Sequence, residues 1–176
     1  MKNRTRDLVI IAMYLAAFIV LDFISNQLVL FKMPQGGTLG LGIVALCLAS
    51  YHLGWKNGLV VSTLSVVLQF YTGAMYYVNP IQFLLEYVLA FGIYGICSLF
   101  PNIALSRNKE NQVAYLFTGI LITNLLRLAF HTIAGVLYWE TLLVASFVYN
   151  AWYMIPTMIV CLILVPLAYS RVKKIH

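Results

Sequence analysis

The sequence predicts an all-α integral membrane protein, a compact bundle of about six transmembrane helices with both termini in the cytoplasm. Three observations predict it. Of 176 residues, 62% are hydrophobic and 9% charged, whereas a soluble domain is about half apolar and a quarter charged. Such a chain cannot cover itself with polar surface in water, so its solvent is mostly lipid. At roughly 20 residues per span the length accommodates about six helices, which leaves residues 1–176 as one transmembrane domain without a separate soluble part. Finally, the basic residues fall in small groups between apolar runs rather than along one stripe, so the formal charge of +6 reads as a topology signal and not as a nucleic-acid footprint.

Taken in order, helix 1 is expected over Leu8–Leu30, helix 2 over Leu39–Leu53 and helix 3 over Gly58–Tyr71. Helix 4 is expected over Ile81–Phe100, with Pro80 suited to its first turn. Helix 5 follows over Val113–Tyr138 and helix 6 over Leu142–Tyr169, where Pro156 marks a kink. Helices 2 and 3 are shorter than a full span. The basic start Met1–Asp7 followed by an apolar run resembles a signal peptide, but the run is too long and shows no convincing cleavage site, so it reads as a retained first helix.

Orientation follows from Lys and Arg. Lys2, Arg4 and Arg6 precede helix 1, and Lys56 separates helices 2 and 3. Arg107 and Lys109 separate helices 4 and 5, and Arg171, Lys173 and Lys174 follow helix 6. With six spans these nine of the eleven basic residues share one side, which is then cytoplasmic. Only Lys32 falls opposite, and Arg127 lies inside a helix. The loops at Met33–Thr38, Gly73–Asn79 and Tyr138–Glu140 face outward.

Several chemistries leave no trace. Cys47, Cys97 and Cys161 lie inside apolar runs, far apart and without CxxC spacing, and read as buried small hydrophobes rather than metal ligands or a disulfide. There is no GxxxxGK[ST] phosphate loop, no HExxH and no Gly-x-Ser-x-Gly. No internal repeat or ladder of acidic residues marks an ion-coupled carrier, so a transport role would draw its energy from elsewhere. Neither a metal nor a cofactor is expected.

Four charged or titratable residues sit at membrane depth and need a reason to be there: Asp22, Glu86, Arg127 and His131. Asp22, in the outer part of helix 1, reads as a helix cap or local ion pair rather than a substrate contact. Glu86 shares a face of helix 4 with Gln82, and either lines a cavity or pairs with Arg127 to lock helices 4 and 5. Asn124, Arg127, His131 and Gly135 fall on one stripe of helix 5, extended outward by Trp139. Such a stripe reads as a cavity lining in preference to interhelical hydrogen bonding. Helix 6 opens with Ser146, Tyr149, Asn150, Trp152 and Tyr153, and the outer loops add Gln35, Gly36, Gly37, Tyr76, Tyr77 and Asn79. Aromatic rings with amide and carboxylate groups at one end of a bundle describe a pocket for a flat, polar heterocycle. On helix 1, Ala12, Ala16 and Ala17 permit close helix approach, inside the bundle or with a partner.

At this point the chain resembles the thiamine-specific substrate-binding (S) components of energy-coupling factor transporters. The resemblance is carried by MPQGG at Met33–Gly37, NPIQFLLEYVLAFG at Asn79–Gly92, RLAFHTIAGVLYW at Arg127–Trp139 and YNAWYMIP at Tyr149–Pro156, together with AxxxA in helix 1. It implies a six-helix bundle in the bacterial cell membrane with an outward-facing thiamine site. It also implies a membrane partner, the T component, that meets the alanine motif, and two cytoplasmic ATPases. By position, Glu86 holds the aminopyrimidine with Tyr87 and Gln82 flanking it, His131 and Asn150 supply hydrogen bonds, and Trp139 stacks on a ring. Arg127 occupies a position the family fills with a basic residue. Two departures stand out: Ala145 precedes Ser146 where the family often has tyrosine, and a proline common near Val44–Leu46 is missing. The ligand classes compatible with this reading are thiamine, a precursor such as hydroxymethylpyrimidine, or another small vitamin. A membrane enzyme using Glu86 and His131 as acid and base is the rival from another class.

Overall fold

The computed structural model describes residues 2–72, 75–104 and 112–173. Among the described residues every regular element is helical: α1 (Lys2–Gln27), α2 (Gly42–Thr72), α3 (Pro80–Gly95), α4 (Leu99–Ala104), α5 (Gln112–Tyr138) and α6 (Leu143–Val172), with one 3₁₀ turn at Val29–Phe31. Three stretches, Arg4–Gln27, Gln112–Tyr138 and Leu143–Val172, are long and apolar enough to cross a membrane. The chain is thus a multi-pass membrane protein.

The expected helices 2 and 3 are the two arms of α2, which meet at Gly54 with φ 79° and ψ 165°. A Cβ at Gly54 would touch nothing within 4 Å, so the backbone conformation and not crowding asks for glycine there. Lys56, expected in a connecting loop, begins the second arm instead. The expected helix 4 is divided as well, because a turn at Ile96–Ser98 separates α3 from α4. Within α3, Leu84–Leu89 winds as a π-helix, a feature the periodicity did not announce. Helix α6 runs through both Pro156 and Pro166.

Packing follows chain order. Helix α1 lies on α2, α2 on α3 and α6, and α5 on α6 and α3. The residues nearest the outward loops lie late in α1 and α5, at both ends of α2, and early in α3 and α6, so α1, the two arms of α2, α3, α5 and α6 alternate in direction. Arg4, Arg6, Lys56, Arg171 and Lys173 therefore share the end opposite those loops. Arg107, Lys109 and Lys174 lie outside the described residues. The core is apolar, with Phe18, Tyr94, Leu116 and Ile120 fully buried. The three free cysteines are buried there too.

The second arm of α2 crosses α3 with its backbone in contact. A Cβ at Gly58 would lie 2.5 Å from the Gly95 carbonyl oxygen, and one at Gly95 would lie 2.5 Å from Leu59 Cα. Small residues at such a crossing replace side-chain interdigitation by direct backbone packing. Gly95→Val is expected to destabilise the bundle by about 1–3 kcal/mol, the usual range for overpacking. The check is the thermal unfolding midpoint of the detergent-solubilised protein. An unchanged midpoint would mean that the two helices can part without loss.

Candidate functional site

The site is assembled from the start of α3. Asn79 Oδ1 accepts hydrogen bonds from the Ile81 and Gln82 amides at 3.0 and 2.9 Å, and Pro80 fills the first helical position. This cap fixes Gln82, whose Oε1 accepts from the Val78 amide at 2.6 Å while its Nε2 donates to Glu86 Oε2. The other oxygen of Glu86 lies 3.6 Å from His131 Nδ1 on α5. A buried carboxylate is thereby held between two helices by a carboxamide and an imidazole.

The polar stripe of α5 divides along its length. Asn124 is buried and accepts from the Tyr94 hydroxyl at 3.0 Å, so it knits α5 to α3. Arg127 does not pair with Glu86. Its guanidinium lies over the Phe91 ring at 4.6 Å, and its Nε and Nη1 are buried without a hydrogen-bond partner among the described residues. His131 Nε2 is in the same condition. The stripe thus carries both readings, interhelical bonding at its inner end and cavity lining beyond.

The loop after α1 closes over this region. Gly36 and Gly37 have φ of 90° and 97°, a conformation that L side chains rarely adopt. The Tyr149 hydroxyl accepts from the Gln35 amide at 3.1 Å and donates to the Gly36 carbonyl at 3.1 Å. A Cβ on Gly37 would sit 2.6 Å from Tyr153 Cε1. Tyr87 performs a similar service on the other side, where its hydroxyl accepts from the Tyr76 amide at 2.9 Å.

Together these elements enclose a cavity of about 780 Å³. Of the residues chosen from the sequence, Gly36, Gly37, Tyr76, Glu86, Tyr87, Arg127, His131, Trp139, Tyr149 and Asn150 all line it. Gln82 does not, being fully buried behind Glu86. Asn150 is oriented by α6 itself: its Nδ2 donates to the Ser146 carbonyl at 2.9 Å and its Oδ1 accepts from the Tyr153 hydroxyl at 2.8 Å. Three expectations for pocket residues change. Asn79 is a helix cap, Tyr77 packs edge-on against Phe83 at 5.3 Å between ring centroids, and Trp152 is exposed on the outside of α6. Ala12, Ala16 and Ala17 are likewise exposed on the outside of α1.

Asp22, read from the sequence as a helix cap or local ion pair, faces the cavity from α1, and so do three residues the sequence analysis did not single out: Asn26 of α1, Gln69 of α2 and Phe91 of α3. Gln69 was findable, since a carboxamide in an apolar run needs a polar neighbour. Phe91 gave no signal among so many apolar residues. Ala145 also lines the wall, so the side chain that is small in sequence leaves space in the site.

Comparison with known proteins bears on this arrangement. Residues 8–176 match the model of a family described as Thiamine transporter protein. The thiamine transporter ThiT of Bacillus subtilis (strain 168) is 30% identical over 179 residues, covering 96% of this chain and 92% of that protein. A ThiT of Lacticaseibacillus paracasei is 35% identical over 65 residues, covering 35% of this chain and 32% of that protein. The solved structure of ThiT from Listeria monocytogenes shares the fold, with a TM-score of 0.76 at 23% identity, over 98% of this chain and 97% of that one.

Gln82 does not line the cavity, so any effect of changing it must pass through Glu86 and the Val78 amide. Gln82→Leu strands that amide and removes one donor from a buried carboxylate. The expected loss of stability is about 1–3 kcal/mol, the range for leaving a buried polar group unsatisfied. Thermal unfolding in detergent without ligand reads it, and an unaltered midpoint would show that Glu86 needs no support from this side.

Proposed function

This chain belongs to the thiamine transporter protein family, and on that premise we propose that it captures thiamine at the outer face of the cell membrane and delivers it to partner subunits for ATP-driven uptake. The observation that carries the ligand reading is the Glu86 carboxylate, held by Gln82 and His131 in a cavity walled by Trp139, Tyr149 and Tyr76. A flat aminopyrimidine would donate to Glu86 and lie against the rings. Arg127 and His131 offer donors to the ligand's acceptor atoms, as does Asn150 to a polar end. Gly36 and Gly37 let the loop approach closely enough to cover it, and Tyr87 braces the Tyr76 backbone beside it.

Orientation is supported by charge. Arg4, Arg6, Lys56, Arg171 and Lys173 gather at the end of the bundle opposite the cavity, and basic ends stay in the cytoplasm. The cavity then opens outward, where a scavenged vitamin arrives. The sequence contains no phosphate-binding loop, so ATP would be hydrolysed by other chains, two cytoplasmic ATPases joined through a membrane T component. The exposed Ala12, Ala16 and Ala17 on α1 give that component a surface of close approach.

Titration of the purified protein with thiamine tests the ligand reading, with quenching of tryptophan fluorescence expected as a ring stacks on Trp139. Glu86→Gln keeps the shape and removes the charge. It is expected to weaken binding by about 2–4 kcal/mol, or roughly 30- to 1,000-fold in Kd, while the protein still folds. Binding of a different vitamin and not thiamine, or an affinity indifferent to Glu86→Gln, would overturn this reading.

The docking reading is tested separately, because the alanines are exposed on the outside of α1 whereas Phe18, Asp22 and Asn26 line the cavity from its other face. Ala16→Trp should abolish thiamine uptake by cells while the purified variant binds thiamine as the wild type does. Loss of binding as well would make the patch internal packing, and uptake by the chain without partners would make it an autonomous carrier.

A further inference from the structure

We propose that Asp22 is the counter-charge for the positively charged end of the ligand, and so a determinant of selectivity for a cationic over a neutral vitamin. The proposal rests on the thiamine reading above. Phe18, Asp22 and Asn26 are spaced by four on α1, fall on one helix face, and all three line the cavity. Phe18 is fully buried and closes the wall toward the core, whereas Asp22 is only partly covered. Its carboxylate is steadied from the next turn: Asn26 Nδ2 donates to Asp22 Oδ2 at 3.3 Å and to the Asp22 carbonyl at 2.9 Å.

Among the described residues, Asp22 and Glu86 are the two acids that line the cavity. Their surroundings differ in a way that matches two different tasks. Glu86 is buried and held by Gln82 and His131, a rigid acceptor suited to the directional N–H of an amine. An alkylated ring nitrogen has no N–H to give. It keeps its charge at every pH, cannot hydrogen-bond to a carboxylate, and is satisfied by ring faces and by a negative charge nearby. Tyr149 and Trp139 supply ring faces, and Asp22 supplies the charge from a separate helix. Lys32 also lines the cavity, and with Arg127 it cancels the two carboxylates in formal charge. Removing Asp22 would leave an excess of positive charge where the ligand's own cation must sit.

The test compares two ligands that differ in charge alone, thiamine and its neutral isostere in which a thiophene replaces the thiazolium. Calorimetric titrations use the wild type, Asp22→Asn and Asp22→Glu in detergent. Asp22→Asn is expected to weaken thiamine about tenfold, in keeping with a partly screened charge pair, and to change the isostere by less than about twofold. Asp22→Glu should restore most of the preference, which a merely structural role would not do. Equal weakening of both ligands would assign Asp22 to packing or to holding Lys32 and would overturn the proposal. So would unchanged affinities in Asp22→Asn. Should Asp22→Asn fail to fold, Asp22→Glu and the wild type still decide it, since their preference for thiamine over the isostere must fall as salt is raised, and a salt-independent ratio overturns it. A wild type that binds neither ligand removes the thiamine reading itself, and the proposal with it, an outcome distinct from all the others.

Discussion

A carboxylate at membrane depth must be turned inward and given donors, and the contact of Glu86 with Gln82 and His131 satisfies that requirement across two helices. Much of the cavity end follows from it. Gln82 can reach Glu86 only if α3 begins at Pro80, which Asn79 secures by capping. His131 can reach it only if α5 faces α3 along the stripe that also carries Arg127. The π-helical segment Leu84–Leu89 lies in the same stretch and carries both Glu86 and Tyr87. Segments of this kind often occur at functional sites. Glu86 shares the cavity with Arg127, while Tyr87 holds the Tyr76 backbone with its hydroxyl.

The opposite requirement governs the rest of the bundle. In lipid there is little hydrophobic drive between helices, so association depends on close packing and on hydrogen bonds. Gly58 and Gly95 supply the first by bringing α2 and α3 into backbone contact. Tyr94 with Asn124 supplies the second, as does Ser146, whose hydroxyl donates to the Thr132 carbonyl at 2.9 Å and joins α6 to α5. These contacts make a rigid frame beneath the cavity. Above it, the loop from Met33 to Gly37 is attached more sparsely, through Tyr149 and its own turn.

The family relationship and the geometry speak to different questions. Membership in the thiamine transporter family and the shared fold identify the kind of molecule. The positions of Glu86, His131, Arg127 and Asp22 around one cavity give a chemical reason for a ligand that is both a hydrogen-bonding heterocycle and a cation. Ala145 lines the same wall with a small side chain.

Composition and the placement of Lys and Arg were enough to read a multi-pass helical membrane protein, because the free energy of transferring charge and backbone into lipid leaves few alternatives. The stripe Arg127, His131, Gly135 and Trp139 was also legible, since helical period alone puts those residues on one face. Three things were decided only by tertiary structure. Glu86 read as either lining a cavity or pairing with Arg127, and the facing of α3 and α5 brought it to His131 while Arg127 settled over Phe91. Asp22 looked local in sequence, yet the packing of α1 turned it into the cavity wall. Gln82 looked like a ligand contact at four residues from Glu86, but the same helix face that joins them buries it one layer behind. Period fixes which residues share a face, whereas depth and partner depend on what the other helices bring to that face.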